Sequence, residues 1–148
     1  MPQRMTFLIL GLFLIFFPIV TAGTVFGEDW QYYADDSEGN FLYYDKDSIA
    51  HRDEVTEVLQ KKIYERDNLF RIRQKLGEKY ATLIEERSLL EIHCPKKTFQ
   101  VRAVDSYRSD GNIIDHIYHK FLRDWKKVQP TSDMEHLYRI CCKKKEKE

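Results

Sequence analysis

The chain has 148 residues, 24 basic against 24 acidic, with 43% hydrophobic and 14% aromatic content. That length fits one domain, and the neutral balance argues against a general nucleic-acid binder, whose phosphate contacts need a marked excess of Lys and Arg. Nine Tyr, nine Phe and two Trp supply enough apolar surface to set a low-complexity disordered chain aside.

The first segment reads as an address. Arg4 precedes an uncharged apolar run from Phe7 to Val20, Pro18 interrupts it, and Val20-Thr21-Ala22 offers the small residues a signal peptidase requires. Residues 1–22 are therefore expected to be a secretory signal peptide, with Val25-Phe26-Gly27 as a second cleavage choice. An uncleaved anchor is the alternative, since Thr6 to Gly27 is long enough to span a bilayer. No Cys stands near the cleavage region to carry a lipid. A domain over 28–142 and a charged tail over 143–148 follow.

From Asp29 the pattern is β. Trp30-Gln-Tyr-Tyr33 and Phe41-Leu-Tyr-Tyr44 flank a polar turn ending in Gly39-Asn40, which predicts a hairpin. A third strand over Glu54 to Tyr64 carries Val55, Leu59 and Ile63 on one face, interrupted by Glu57 and Lys61, so it is half-buried or bulged. Asp67 can then cap a helix with Leu69, Ile72, Leu76 and Phe70 as its stripe and Gly77 as its stop. The other face of that helix is basic, with Arg66, Arg71, Arg73, Lys75 and Lys79, whereas Glu28 to Glu57 holds ten acids against Lys46 and Arg52. Ser88 to His93 and Thr98 to Tyr107 read as a hairpin around Pro95, and Ser109-Asp-Gly-Asn112 turns the chain into a strand with Ile113, Ile114 and Ile117. A connection through Phe121, Leu122 and Trp125 leads to Pro130, where Ser132-Asp-Met-Glu135 has the form of a capping box that starts the last helix.

Three cysteines in an exported chain point to a disulfide before a metal site, and no CxxC pair occurs. In the last helix Met134, Leu137, Tyr138 and Cys141 fall at i, i+3, i+4 and i+7, which puts Cys141 in the buried stripe and makes it the expected partner of Cys94. Cys142 is left spare, to pair between chains, to exchange with its neighbour, or to do nothing.

Chemistry-bearing motifs are sparse. His116 and His119 would share a face on a helix but oppose each other on a strand, and the strand reading does not favour a metal site here. The acidic turn from Asp35 misses the calcium-loop pattern, because its required glycine would put Ala34 at the first position. No GxSxG, P-loop or GxGxxG occurs, and Cys94 beside Pro95 is more simply a bridged cysteine than a nucleophile. No enzyme activity and no cofactor are expected. What remains is the aromatic hairpin, whose alternation sends half of its rings inward, Trp30 and Tyr32 or Tyr33 under the terminal helix. Tyr33 and Tyr43 with the basic helix residues Arg71 and Arg73 form the candidate partner surface.

Asp29-Trp30 with Tyr33, the Gly39-Asn40-Phe41-Leu-Tyr-Tyr-Asp45 hairpin, Leu90-Glu-Ile-His-Cys94, Asp105-Ser-Tyr107, Trp125 and the closing Pro130-Thr-Ser132…Leu137-Tyr138…Cys141 occur in this order. Taken together they resemble the bacterial surface-adhesin protein E-like family. The resemblance implies an α+β fold: a single antiparallel β-sheet packed against a C-terminal helix, one further helix, and one disulfide between the family's two cysteines. It also implies a protein partner at the cell envelope or among host matrix proteins, since the namesake is an outer-membrane lipoprotein that mediates attachment to host cells. This sequence departs from the namesake in lacking the lipid-bearing Cys and in having Cys142. A periplasmic accessory protein, and a haem or metal binder using His116, His119 or Cys142, are the alternatives.

Overall fold

The computed structural model describes residues 28–119 and 124–143. The signal-peptide reading, the Phe121-Leu122 connection and nearly all of the charged tail lie outside the described residues.

Eight strands form one antiparallel sheet: β1 (Trp30–Asp35), β2 (Phe41–Asp45), β3 (Ala50–Arg52), β4 (Val55–Ile63), β5 (Leu83–His93), β6 (Thr98–Arg108), β7 (Ile113–Tyr118) and β8 (Lys126–Lys127). The main path runs β1-β2-β4-β5-β6-β7, so the three longest strands are central. β2 and β3 lie end to end along one edge of β4, and β7 and β8 do the same along β6. Helix α1 (Arg66–Leu76) follows β4, and α2 (Asp133–Cys141) closes the fold.

The turns explain the hairpins. Gly39 has φ +82° and Gly111 φ +80°, a region that side chains resist. Each turn is also held by an aspartate: Asp36 Oδ1 accepts from the Glu38 and Asn40 amides, and Asp110 Oδ1 from the Asn112 amide at 3.0 Å.

The core lies between α2 and one face of the sheet. Val58, Leu90, Ile92, Met134, Leu137 and Cys141 are buried there, and Tyr33, Tyr44, Phe99 and Val101 pack around them. The register explains the set, because Val58 pairs with Leu90, Leu90 with Val101, and Ile92 with Phe99, so all share one face. The third strand is therefore buried on the side opposite to the one the sequence suggests. Thr56 and Val58 face α2, whereas Val55, Leu59 and Ile63 share the other face with Glu57 and Lys61. Helix α2 starts as expected, with Ser132 Oγ accepting from the Glu135 amide at 3.2 Å, but the Glu135 carboxylate returns to the Thr131 amide at 2.7 Å.

The disulfide corrects the expected pairing: Cys94 bonds to Cys142, with Cα atoms 5.6 Å apart, and Cys141 is a free, buried thiol. The helix phase is right and its consequence is the reverse of the one drawn. Successive helix residues are about 100° apart, so Cys141 points with Leu137 into the sheet. Cys142 shares the side of Tyr138, whose hydroxyl donates to the Cys94 carbonyl at 3.0 Å. Burial pushes the Cys141 thiol up to about 12, which keeps it protonated and inert at neutral pH.

Helix α1 is held differently. Its cap is Glu65 rather than Asp67, accepting from the Asp67 amide at 2.8 Å, while Gly77 ends it at φ +88° as expected. The predicted stripe is largely open, with Phe70 63% and Leu76 42% exposed, and the buried residue is Asn68. Asn68 donates to Asn40 Oδ1 at 3.0 Å, and Asn40 Oδ1 also accepts from the Glu65 amide at 3.1 Å. Asn40 Nδ2 donates to Asp36, which takes Lys62 Nζ at 2.6 Å. A polar clasp, satisfied throughout, thus ties the first hairpin turn to α1.

Candidate binding surface

The face of the sheet away from α2 is built by register. Tyr32 pairs with Tyr43, Tyr43 with Lys61, Lys61 with Arg87, Arg87 with Asp105, and Asp105 with His116. Cross-strand partners share a face, so these side chains form a single row across all six strands of the main path.

The row is graded in chemistry. At one end the Tyr32 and Tyr43 rings meet edge to face, 5.7 Å between centroids. In the middle Lys61 Nζ lies 4.4 Å from the centre of the Trp30 ring and 5.4 Å from that of Tyr43. Arg87 lies 4.6 Å from the Tyr107 ring and 5.5 Å from Trp30, and forms ion pairs with Glu28 at 2.6 Å and Glu85 at 2.8 Å. At the far end His116 Nδ1 meets the Asp105 carboxylate. Cations over rings are each worth about 0.5–1 kcal/mol where water still reaches them. The interleaving also orders long side chains that would otherwise be free. Burial among these neighbours pulls the Lys61 ammonium below its ordinary pKa and pushes the Tyr107 phenol above its own.

Of the residues the sequence singles out, Tyr43 is in this row. Tyr33 is not: it lies under α2, its hydroxyl accepting from Gln60 Nε2, its ring 6.2 Å from Tyr44. Trp30, expected under the helix, stands on the open face instead. A register shift between Tyr32 and Ala34 accompanies this division of the hairpin's rings. The basic residues of α1 are engaged elsewhere, Arg71 on Asn68 and Arg73 on the Leu83 carbonyl at 2.6 and 3.1 Å. His116 and His119 are separated, the first in the row and the second lining a cleft with Val101 and Val104. Lys61, Arg87 and Asp105 join the row although the sequence does not mark them as site residues. The one signal for them in the sequence is the alternation in β4, where Glu57 and Lys61 interrupt the apolar residues of one face.

Among the described residues no helix is long and apolar enough to cross a membrane. No curated protein matches the sequence. The solved structure of Haemophilus influenzae protein E is similar in fold, at 11% identity and a TM-score of 0.50, over 76% of this chain and 83% of that one. The model of the surface-adhesin protein E family matches residues 30–143, the whole of the sheet and both helices, and the chain belongs to that family.

Proposed function

We propose that this protein is a non-catalytic adhesin-like binding module, exported to the cell envelope, that engages a protein partner through the open face of its sheet. The observation that carries the reading is the row from Tyr32 to His116. Tyr, Trp and Arg are the side chains enriched at protein interfaces, and here Trp30, Tyr43, Tyr107 and Arg87 are held by ring contacts and ion pairs before any partner arrives. The opposite face is occupied by α2, which leaves this one for contact. Membership of the surface-adhesin family supports an outward-facing role.

The test of location is protease treatment of intact cells, followed by immunoblotting with a periplasmic protein as the leakage control. Loss of this protein with the control intact is expected. Full protection would contradict the adhesin reading and favour a periplasmic accessory role.

A further inference from the structure

Three lysine-bearing segments that are remote in sequence meet at one pole of the molecule. Lys96 and Lys97 form the turn between β5 and β6, with the Lys97 amide donating to the Cys94 carbonyl at 3.4 Å. Lys126 and Lys127 are strand β8, paired with Phe99 and Thr98, and the Val128 amide donates to the Lys97 carbonyl at 2.9 Å. Lys143 follows Cys142, which the disulfide fixes 5.6 Å, Cα to Cα, from Cys94. All five lysines are exposed. Among the described residues Lys126 alone of the five has a carboxylate partner, Asp124 at 3.6 Å. The neighbouring acids Asp53 and Glu54 lie on the adjoining β3–β4 turn, where Glu54 faces His93 at 3.3 Å. The pole thus concentrates cations that the neutral overall composition conceals.

Beside these lysines runs an apolar cleft. Phe99 and Met134 line a cavity of about 580 Å³ together with Lys126, Lys127 and Asp133, and Phe99 and Lys126 continue into a second one of about 320 Å³ walled by Val101 and Val104. Trp125, next to Lys126, is half-buried against the His93 ring. We propose that this pole docks on the surface of an anionic phospholipid bilayer, the lysines meeting the headgroups and the Phe99–Met134 cleft lying at the acyl boundary. Charge complementarity argues for an anionic partner. The apolar cleft and the adjoining Trp favour a lipid interface over a sulfated polysaccharide, which offers nothing apolar. The contact would hold the domain at a membrane through the end of the sheet that carries the disulfide.

Flotation of the exported, disulfide-bonded protein with vesicles tests this. Binding is expected on vesicles of phosphatidylglycerol mixed with phosphatidylcholine, weakening steeply as salt is raised, with none on phosphatidylcholine alone. The triple variant Lys96→Glu, Lys97→Glu, Lys127→Glu should bind at least about a hundredfold more weakly, the loss expected from removing three lysines before the added repulsion of the glutamates. A control with the same change in net charge elsewhere, Lys46→Glu, Arg66→Glu, Lys75→Glu, should keep most of the binding, and Tyr32→Ala should keep all of it. Equal losses in the two triple variants would reduce the effect to net charge and overturn the proposal. So would equal binding to neutral vesicles, or retention on heparin beads without flotation on anionic vesicles.

Discussion

The two faces of the sheet use the same strands for opposite ends. Toward α2, Val58, Leu90, Ile92 and Leu137 are at most 1% exposed, and what holds them is burial. Away from α2, the odd-numbered positions of β4 and β5 point the other way, and among them Lys61 and Arg87 are half-buried against the rings of Trp30, Tyr43 and Tyr107. An aromatic and ionic row occupies the face that, among the described residues, no second layer covers, which on the proposed function separates stability and contact onto different side chains.

If that separation is right, substitutions on the helix side should cost stability and those on the open side should not. The largest effect is expected at the disulfide. The chain-entropy model gives about 4 kcal/mol for a loop closed by residues 48 apart, so Cys94→Ala and Cys142→Ala should each cost that much in denaturant unfolding. Cys141→Ala should cost only about 1 kcal/mol. The reverse ranking of Cys141 and Cys142 would return the bond to Cys141. Next, Leu137→Ala removes the centre of the α2 stripe and should cost about 3 kcal/mol in the same measurement.

A smaller effect is expected of acid. Burial alone would raise the Asp36 carboxyl, but Lys62, Asn40 and the Glu38 amide outweigh it and hold it at about 2 against an ordinary 3.8. A carboxylate held down in the folded state stabilises above its unfolded pKa and loses that contribution as pH falls. The protein should therefore lose up to about 1 kcal/mol between about pH 4 and pH 2, and Asp36→Asn should flatten that part of the stability profile. An unchanged slope in the variant would take the clasp out of the account. Smallest of all, Tyr32→Ala, at a ring 55% exposed, should change stability by less than about 0.5 kcal/mol in thermal unfolding. A larger cost would make the open row a structural element.

The order of elements was legible because local signals set it: the Gly39-Asn40 and Asp110-Gly111 turns, the Ser132 cap, the alternation of β6. What depends on long-range pairing was not. The row needs the register of β2 on β4 and of β4 on β5, and both the hairpin and β5–β6 contain register shifts that no local pattern announces. Helix α1 was located from its stripe, yet it is fastened by Asn68 and Asn40, polar residues that a search for apolar periodicity passes over. The disulfide's partner is hidden for a related reason. Periodicity identifies which cysteine is buried, and the buried one faces the sheet while its half-buried neighbour meets Cys94.

The most direct test compares the two sides as binding surfaces. Retention on a decellularised matrix layer should be measured for the protein, for Tyr32→Ala with Tyr43→Ala on the open face, and for His136→Ala with Arg139→Ala on the solvent side of α2, each checked for unaltered folding by circular dichroism. The open-face pair should lose about tenfold or more, and the helix pair should bind as the parent does. Loss in the helix pair with retention in the open-face pair would contradict the assignment of binding to the open row.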